Sequence, residues 1–327
     1  MINLAVIGTN WISEKFVEAA LQCKEFQLSA VYSRQLESAC GFAAQHQSKN
    51  CNFYNDLSAL GQDKTIDAVY IASPNSLHCE QALLMMEFGK HVICEKPIAS
   101  NITQAEEMYR SAEMHNVILF EAFKTEFLPN FQLLKRNIDT IGRLRNVYIS
   151  YCQYSSRYQK YLQGENPNTF NPAYSNGSIM DIGFYCVSSA IALFGKPEGV
   201  KASAKLLDSG VDAHGTVIFE YPDFLLTIQH SKVSDGKIPS EIQGEDGVIL
   251  INQISECNGF SIQKRGAISE TLSVEQGENS MLYEAIAFAK QIEKGVMDSH
   301  AVERSLAVSE ITTEIRRQTG IVFPADQ

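Results

Sequence analysis

The chain has 327 residues, 45% of them hydrophobic and 20% charged, and 38 Asp and Glu against 27 Lys and Arg give a formal net charge of −11. The length allows two domains of ordinary size, and the composition excludes wholesale disorder and fibrous repeats. An acidic chain lacks the footprint of a nucleic-acid or anionic-membrane binder, no apolar run approaches the ~18 residues that span a bilayer, and the N-terminus shows no basic segment or cleavage signal; a cytoplasmic protein is expected.

The first third alternates strand and helix patterns. Strands are predicted at 3–8, 28–33, 52–54, 68–72, 91–94 and 117–120, with helices at 12–23, 37–47, 77–88 and 103–115 between them. Gly89 stops the third helix, and Thr103 with Glu106 three residues on reads as a capping box at the start of the fourth. This βαβα order predicts a doubly wound parallel sheet of the Rossmann type over residues 1–121.

From residue 122 the pattern changes. A helix at 130–137 precedes a long alternating strand at 144–154, a polar loop at 155–175, and a helix at 179–194 that stops at Gly195. Alternating runs follow at 200–207, 215–221, 225–231, 248–253, 260–264 and 270–274, and helices at 280–294 and 301–319 close the chain. Strands in series predict an open, mainly antiparallel sheet in a second domain, 122–327, with the last helix able to pack back on the first.

The eight cysteines are scattered with no CxxC pair, and the seven histidines show no HExxH spacing, so neither a disulfide framework nor a metal site is expected. Five stretches could carry chemistry. Gly8, Thr9, Asn10, Trp11, Ile12 and Ser13 stand where a dinucleotide fold places G-x-G-x-x-G, after the first strand and opening the first helix. Only the first Gly is present. Asn10, which tolerates left-handed backbone, replaces the second, and small Ser13 the third; an ordinary strand-to-helix turn explains the same residues.

The second strand ends in Ser33-Arg34, with no acid to accept from a ribose 2′-hydroxyl. That favours a 2′-phosphate, although Arg34 also suits a solvated strand end. Ser73-Pro74-Asn75 with His78 lies at the C-terminal end of the fourth strand, the edge where such sheets bind ligands, and turn chemistry accounts for part of it. Cys94-Glu95-Lys96-Pro97 ends the fifth strand with a charged pair, read as a held ammonium or a surface lysine. In the fifth stretch, Asp181 and Tyr185 are four apart on a helix whose Gly177, Ser188 and Ser189 leave room for something to approach. Beside a lysine the two form a workable acid–base set; otherwise they are a helix-dipole partner and a core tyrosine.

Glu95-Lys96-Pro97, the stretch from Ile71 to His78 and the run from Met180 to Tyr185 together resemble the Gfo/Idh/MocA oxidoreductase family, which includes glucose–fructose oxidoreductase, inositol dehydrogenase and dihydrodiol dehydrogenase. The resemblance covers nearly the whole chain. It implies an NAD(P)-dependent oxidoreductase acting on a sugar-like, polyol or cyclic alcohol or carbonyl compound, with Lys96, Asp181 and Tyr185 as the catalytic set. Tyr185 leans towards dihydrodiol dehydrogenase-like members. NADP is preferred to NAD on the strength of Ser33 and Arg34. The expected cofactor-binding residues are Gly8, Thr9, Asn10, Trp11, Ile12, Ser33, Arg34, Ser73, Asn75, His78, Glu95 and Lys96. The family also implies a homodimer or homotetramer through the second sheet. A non-catalytic dinucleotide-binding regulator and an NAD-dependent glycoside hydrolase on the same fold are the alternatives.

Overall fold

The computed structural model describes all residues except Gln47 and Lys49, so the end of the helix expected at 37–47 lies outside the described residues. The chain divides into two compact units, Met1–Lys124 with Gly277–Ser305, and Thr125–Gln276 with Leu306–Gln327.

In the first unit the elements run β1 (Ile2–Ile7), α1 (Trp11–Gln22), β2 (Phe26–Tyr32), α2 (Leu36–Gln45), β3 (Asn52–Tyr54), α3 (Leu57–Gln62), β4 (Ala68–Ile71), α4 (His78–Glu87), β5 (His91–Glu95), α5 (Ile102–His115) and β6 (Leu119–Ala122). The sheet order is β3-β2-β1-β4-β5-β6, parallel throughout. The strand order reverses between β1 and β4, which opens a crevice at the C-terminal ends of those strands. Leu4 to Ile7 and Ala68 to Ile71 are at most 1% exposed, as strands covered on both faces require.

Two local readings are corrected here. Asn101, not Thr103, caps α5, its side chain accepting from the Gln104 N–H; Asn101 has the extended backbone an N-cap needs, whereas Thr103 lies inside the helix. The sixth strand is 119–122 rather than 117–120, which brings Glu121 into the sheet. The short helix α3, capped by Asp56, has too few residues to show an apolar period and was not foreseen.

The second unit contains α6 (Pro129–Asn137), β7 (Leu144–Cys152), α7 (Tyr158–Leu162), α8 (Phe184–Phe194), β8 (Gly199–Leu206), β9 (Asp212–Glu220), β10 (Leu225–Ser231), β11 (Ser240–Gly244), β12 (Gly247–Ile251), β13 (Phe260–Lys264) and β14 (Glu270–Leu272). Its sheet order is β14-β13-β12-β11-β7-β10-β9-β8. All pairings are antiparallel except β7 with β10, which is parallel. The expected loop at 155–175 holds α7 and two 3-10 turns, and β11 is an additional strand. The stretch Pro172–Phe194 is long and apolar enough by composition to cross a membrane, but 78% of its most apolar window is buried inside the protein as core.

Two helices close the chain. α9 (Leu282–Lys294) belongs to the first unit and packs on α1, and the division between units falls within α10 (Ser299–Thr319). Phe288 of α9 lies against Phe26 and Phe120, with ring centroids 6.1 and 5.7 Å away.

Candidate functional site

At the β1–α1 turn, Gly8 has φ +106°, and a Cβ there would stand 3.0 Å from the Ala72 carbonyl oxygen. Only glycine fits both conditions. Asn10 is not left-handed as its place in the motif suggested: it has φ −92° and ψ 174° and caps α1. Its Oδ1 accepts from the Ile12 and Ser13 N–H groups at 2.9 and 3.2 Å, and its Nδ2 donates to the Ala72 carbonyl at 2.9 Å. The Asn10 side chain thus ties the turn to the end of β4 and orders the helix N-terminus. Ser13 is fully buried beneath it, and Trp11 is 62% exposed. Thr9 and Ile12 are half-buried on either side.

At the end of β2, Ser33 donates its N–H to Tyr54, and its hydroxyl lies 3.4 Å from the Gln35 N–H. Arg34 is exposed, with no side-chain hydrogen bond among the described residues.

The turns after β4 and β5 are fastened together. His78 opens α4 after a 3-10 turn, Asn75–Leu77, and is fully buried. Its Nδ1 lies 2.9 Å from the Pro97 carbonyl oxygen and its Nε2 2.9 Å from that of Ser73, while burial holds its pKa below the usual histidine value. The ring stands between the two carbonyl oxygens and donates to one of them when neutral, so His78 bridges the turns after β4 and β5. Ser73 Oγ, like Ser13 Oγ, is buried with no hydrogen-bond partner among the described residues.

Glu95, the last residue of β5, is buried, and burial raises its carboxyl pKa. It accepts from the Tyr70 hydroxyl at 2.7 Å, and Tyr70 stacks on Phe16. Lys96 follows, half-buried, and the Lys96–Pro97 peptide is cis. The next residue, Ile98, donates its N–H to Glu121 Oε1 at 2.9 Å, and Arg304 Nη1 donates to Glu121 Oε2 at 2.6 Å. Lys96 therefore stands on a turn fixed from three sides by Tyr70, His78 and the Glu121–Arg304 pair.

In the second unit Asp181 lies in a π turn, Ile179–Gly183, that runs directly into α8. Asp212 Oδ2 accepts from the Ile179 N–H at 2.7 Å, and His230 Nδ1 lies 2.8 Å from Ser178 Oγ. Burial pushes the Asp212 carboxyl up to about 6 and the His230 imidazole down to about 3. Gly177 does not leave room for a ligand: a Cβ there would stand 2.4 Å from Asp212 Oδ1. Ser188 and Ser189 are fully buried as well, so the space read beside this helix is packed. Tyr185 is half-buried, with its ring 5.9 Å from that of Tyr151. Lys232 Nζ forms an ion pair with Asp181 Oδ2.

The sequence reading missed Lys232, Glu121, Arg304 and Tyr70. A signal for Lys232 was present: Leu226, Ile228 and His230 are buried on one face of β10, and the same period of two carries on to residue 232.

The first unit fits a dinucleotide. Gly8 lets backbone come close at the β1–β4 crevice, two buried serine hydroxyls there lack partners among the described residues, and no carboxylate stands between β2 and Glu37. Residues 2–123 match the model of an oxidoreductase family with an NAD-binding Rossmann fold, and residues 131–250 match the GFO/IDH/MocA C-terminal domain. This is an oxidoreductase with an NAD-binding Rossmann fold. The chain belongs to the Gfo/Idh/MocA family.

Over its full length it is 52% identical to the uncharacterized oxidoreductase YgjR of Escherichia coli (100% of this chain, 99% of the relative). It is 48% identical to scyllo-inositol 2-dehydrogenase (NADP(+)) IolU of Bacillus subtilis (100% of each). Among solved structures, levoglucosan dehydrogenase in complex with NADH and levoglucosan shares the fold, with a TM-score of 0.85, 21% identity, and 98% of this chain and 97% of that one covered.

Proposed function

We propose that this enzyme oxidises a cyclic polyol of the inositol type with NADP⁺, and that Lys96, Asp181 and Tyr185 carry the reaction. The observation that carries the substrate class is the end-to-end 48% identity with the Bacillus subtilis scyllo-inositol dehydrogenase. The choice of NADP rests on that relative and on Ser33 and Arg34. A carboxylate after β2 would repel a 2′-phosphate; this chain has none there, and the exposed Arg34 guanidinium suits a charge-assisted bond.

When bound, the nicotinamide supplies the hydride acceptor. Tyr185, acting as its phenolate beside the Lys96 ammonium, takes the hydroxyl proton as the carbonyl forms, and the ammonium stabilises negative charge developing on that oxygen. Asp181 accepts a hydrogen bond from a substrate hydroxyl. Gly8, Thr9, Asn10, Trp11 and Ile12 are assigned to the pyrophosphate side of the cofactor site, Ser33 and Arg34 to the ribose end, and Ser73, Asn75, His78, Glu95 and Lys96 to the nicotinamide side. The residues group by function as a dinucleotide-binding domain over 1–121 and a substrate domain over 122–327.

Self-association is assigned to the outer face of the second sheet, where Ile218 and Leu225 are exposed. The cytoplasm is the proposed compartment, in line with eight cysteines that are all free. Initial rates with scyllo-inositol, myo-inositol, glucose and levoglucosan, each with NADP⁺ and NAD⁺, test the reading. The highest kcat/KM is expected for an inositol with NADP⁺, and failure to turn over any inositol with either cofactor defeats it.

A further inference from the structure

The end of β10 delivers two side chains to the segment that carries Asp181. His230 and Lys232 are two residues apart and so point the same way. His230 meets Ser178 at the segment's start, and Lys232 meets Asp181 one turn on. The Lys232 side chain is 8% exposed and that of Asp181 31%, so the pair lies at the margin of the core, with the lysine on the inner side.

The Lys232 backbone is locked as well. Its N–H donates to the Ala213 carbonyl at 2.9 Å, and its own carbonyl accepts from the Ser155 N–H at 2.8 Å. Burial raises the pKa of the Asp212 carboxyl, which holds the Ile179 N–H, and the nearby ammonium opposes part of that rise. A cation this deep stands beside Asp181, on the segment itself, and within electrostatic reach of Asp212, the β9 residue that holds the segment's start.

We propose that Lys232 is a positioning residue of the reaction. It holds the Asp181 carboxylate ionised and in one orientation, so that Asp181 acts as a fixed hydrogen-bond acceptor for a substrate hydroxyl and not as a carrier of the proton. This rests on the role proposed above for Asp181. An ammonium paired at Oδ2 costs the neutral acid its advantage, because protonating the carboxyl would leave the buried lysine uncompensated. The proton taken from the substrate then goes to Tyr185 alone, and the hydroxyl held by Asp181 is one the enzyme does not oxidise. Substrates carrying such a second hydroxyl are selected over simple secondary alcohols.

The test compares wild type, Lys232→Met, Lys232→Arg, Asp181→Asn and the double variant Asp181→Asn/Lys232→Met as full-length purified enzymes. The probe is scyllo-inositol with NADP⁺, or the polyol that supports turnover if scyllo-inositol does not. Thermal unfolding of each protein establishes that it is folded. Lys232→Met is expected to lower kcat by about tenfold to a hundredfold, with the KM for NADP⁺ unchanged. Lys232→Arg restores kcat to within a few-fold, which a purely packing role for the lysine stem would not produce.

In the Asp181→Asn background, Lys232→Met should slow the enzyme no further, because the group it acts through is gone. If Lys232→Met leaves kcat within twofold of wild type while Asp181→Asn is slow, the proposal falls and the role of Asp181 stands. Equal, multiplicative losses in both backgrounds also overturn it. If Asp181→Asn turns over like wild type, the role of Asp181 falls first, and the proposal with it.

Discussion

Arg304→Met isolates what holds the turn that carries Lys96. The Arg304 and Glu121 side chains are 4% and 1% exposed, so removing the guanidinium strands a carboxylate in the core of the first unit. Glu121 keeps one donor, the Ile98 N–H at 2.9 Å. Breaking a buried pair from one side costs about 3–5 kcal/mol, since the remaining charge has lost its counterion without regaining water. The guanidinium also lies 5.0 Å from the Phe123 ring centroid, and methionine keeps much of that apolar contact, so little is added for it.

At roughly 2–4 °C per kcal/mol for a unit of this size, the melting temperature should fall by about 6–20 °C. Pairing the change with Glu121→Gln removes the stranded charge while the amide oxygen still accepts from Ile98. The double variant should recover most of the loss, to within about 1–2 kcal/mol of wild type. Scanning calorimetry of wild type, both single variants and the double variant gives the cycle. An Arg304→Met loss under about 1 kcal/mol, or a double variant no more stable than Arg304→Met, would refute the reasoning.

Lys96→Met should abolish turnover with nearly unchanged cofactor binding, a loss of about 3–5 kcal/mol of transition-state stabilisation, checked by steady-state rates beside fluorescence titration of NADP(H). Tyr185→Phe should lower kcat strongly and remove a limb from the pH–rate profile; an unchanged profile would leave Tyr185 as packing. NADP(H) should bind on the order of tenfold more tightly than NAD(H), and Arg34→Ala should erase most of that difference, which calorimetric dissociation constants decide. Burial depresses the folded-state pKa of His230 below its ordinary 6.5, so its contribution is complete above that pH and is lost as pH falls through 6 and 5 towards about 3. His230→Asn should therefore lose less stability than wild type between pH 7 and 4 in urea unfolding; equal losses would show that His230 does not drive the acid sensitivity.

What depends only on neighbours along the chain is readable without coordinates. The apolar strands at β1, β4 and β5, the Gly8 turn, the stop at Gly195 and the period of two through β7 and β10 are all local patterns, and the alternation of strands with helices implies a parallel doubly wound sheet. The three short stretches around His78, Lys96 and Asp181 were legible for the same reason: chemistry-bearing residue types just after a strand, or four apart on a helix as Asp181 and Tyr185 are, need no partner to be noticed. Tertiary structure decided who meets whom. Asp181 finds Lys232, 51 residues on, and Glu121 finds Arg304, 183 residues on. His78 turns out to be a clamp on Ser73 and Pro97. Asn10 turns out to be a cap on α1 and a tie to Ala72, in extended and not left-handed backbone. None of these pairings has a sequence period, because buried charges and ring nitrogens find partners across elements that the fold brings together, and their energies depend on desolvation that exists only once the core has closed.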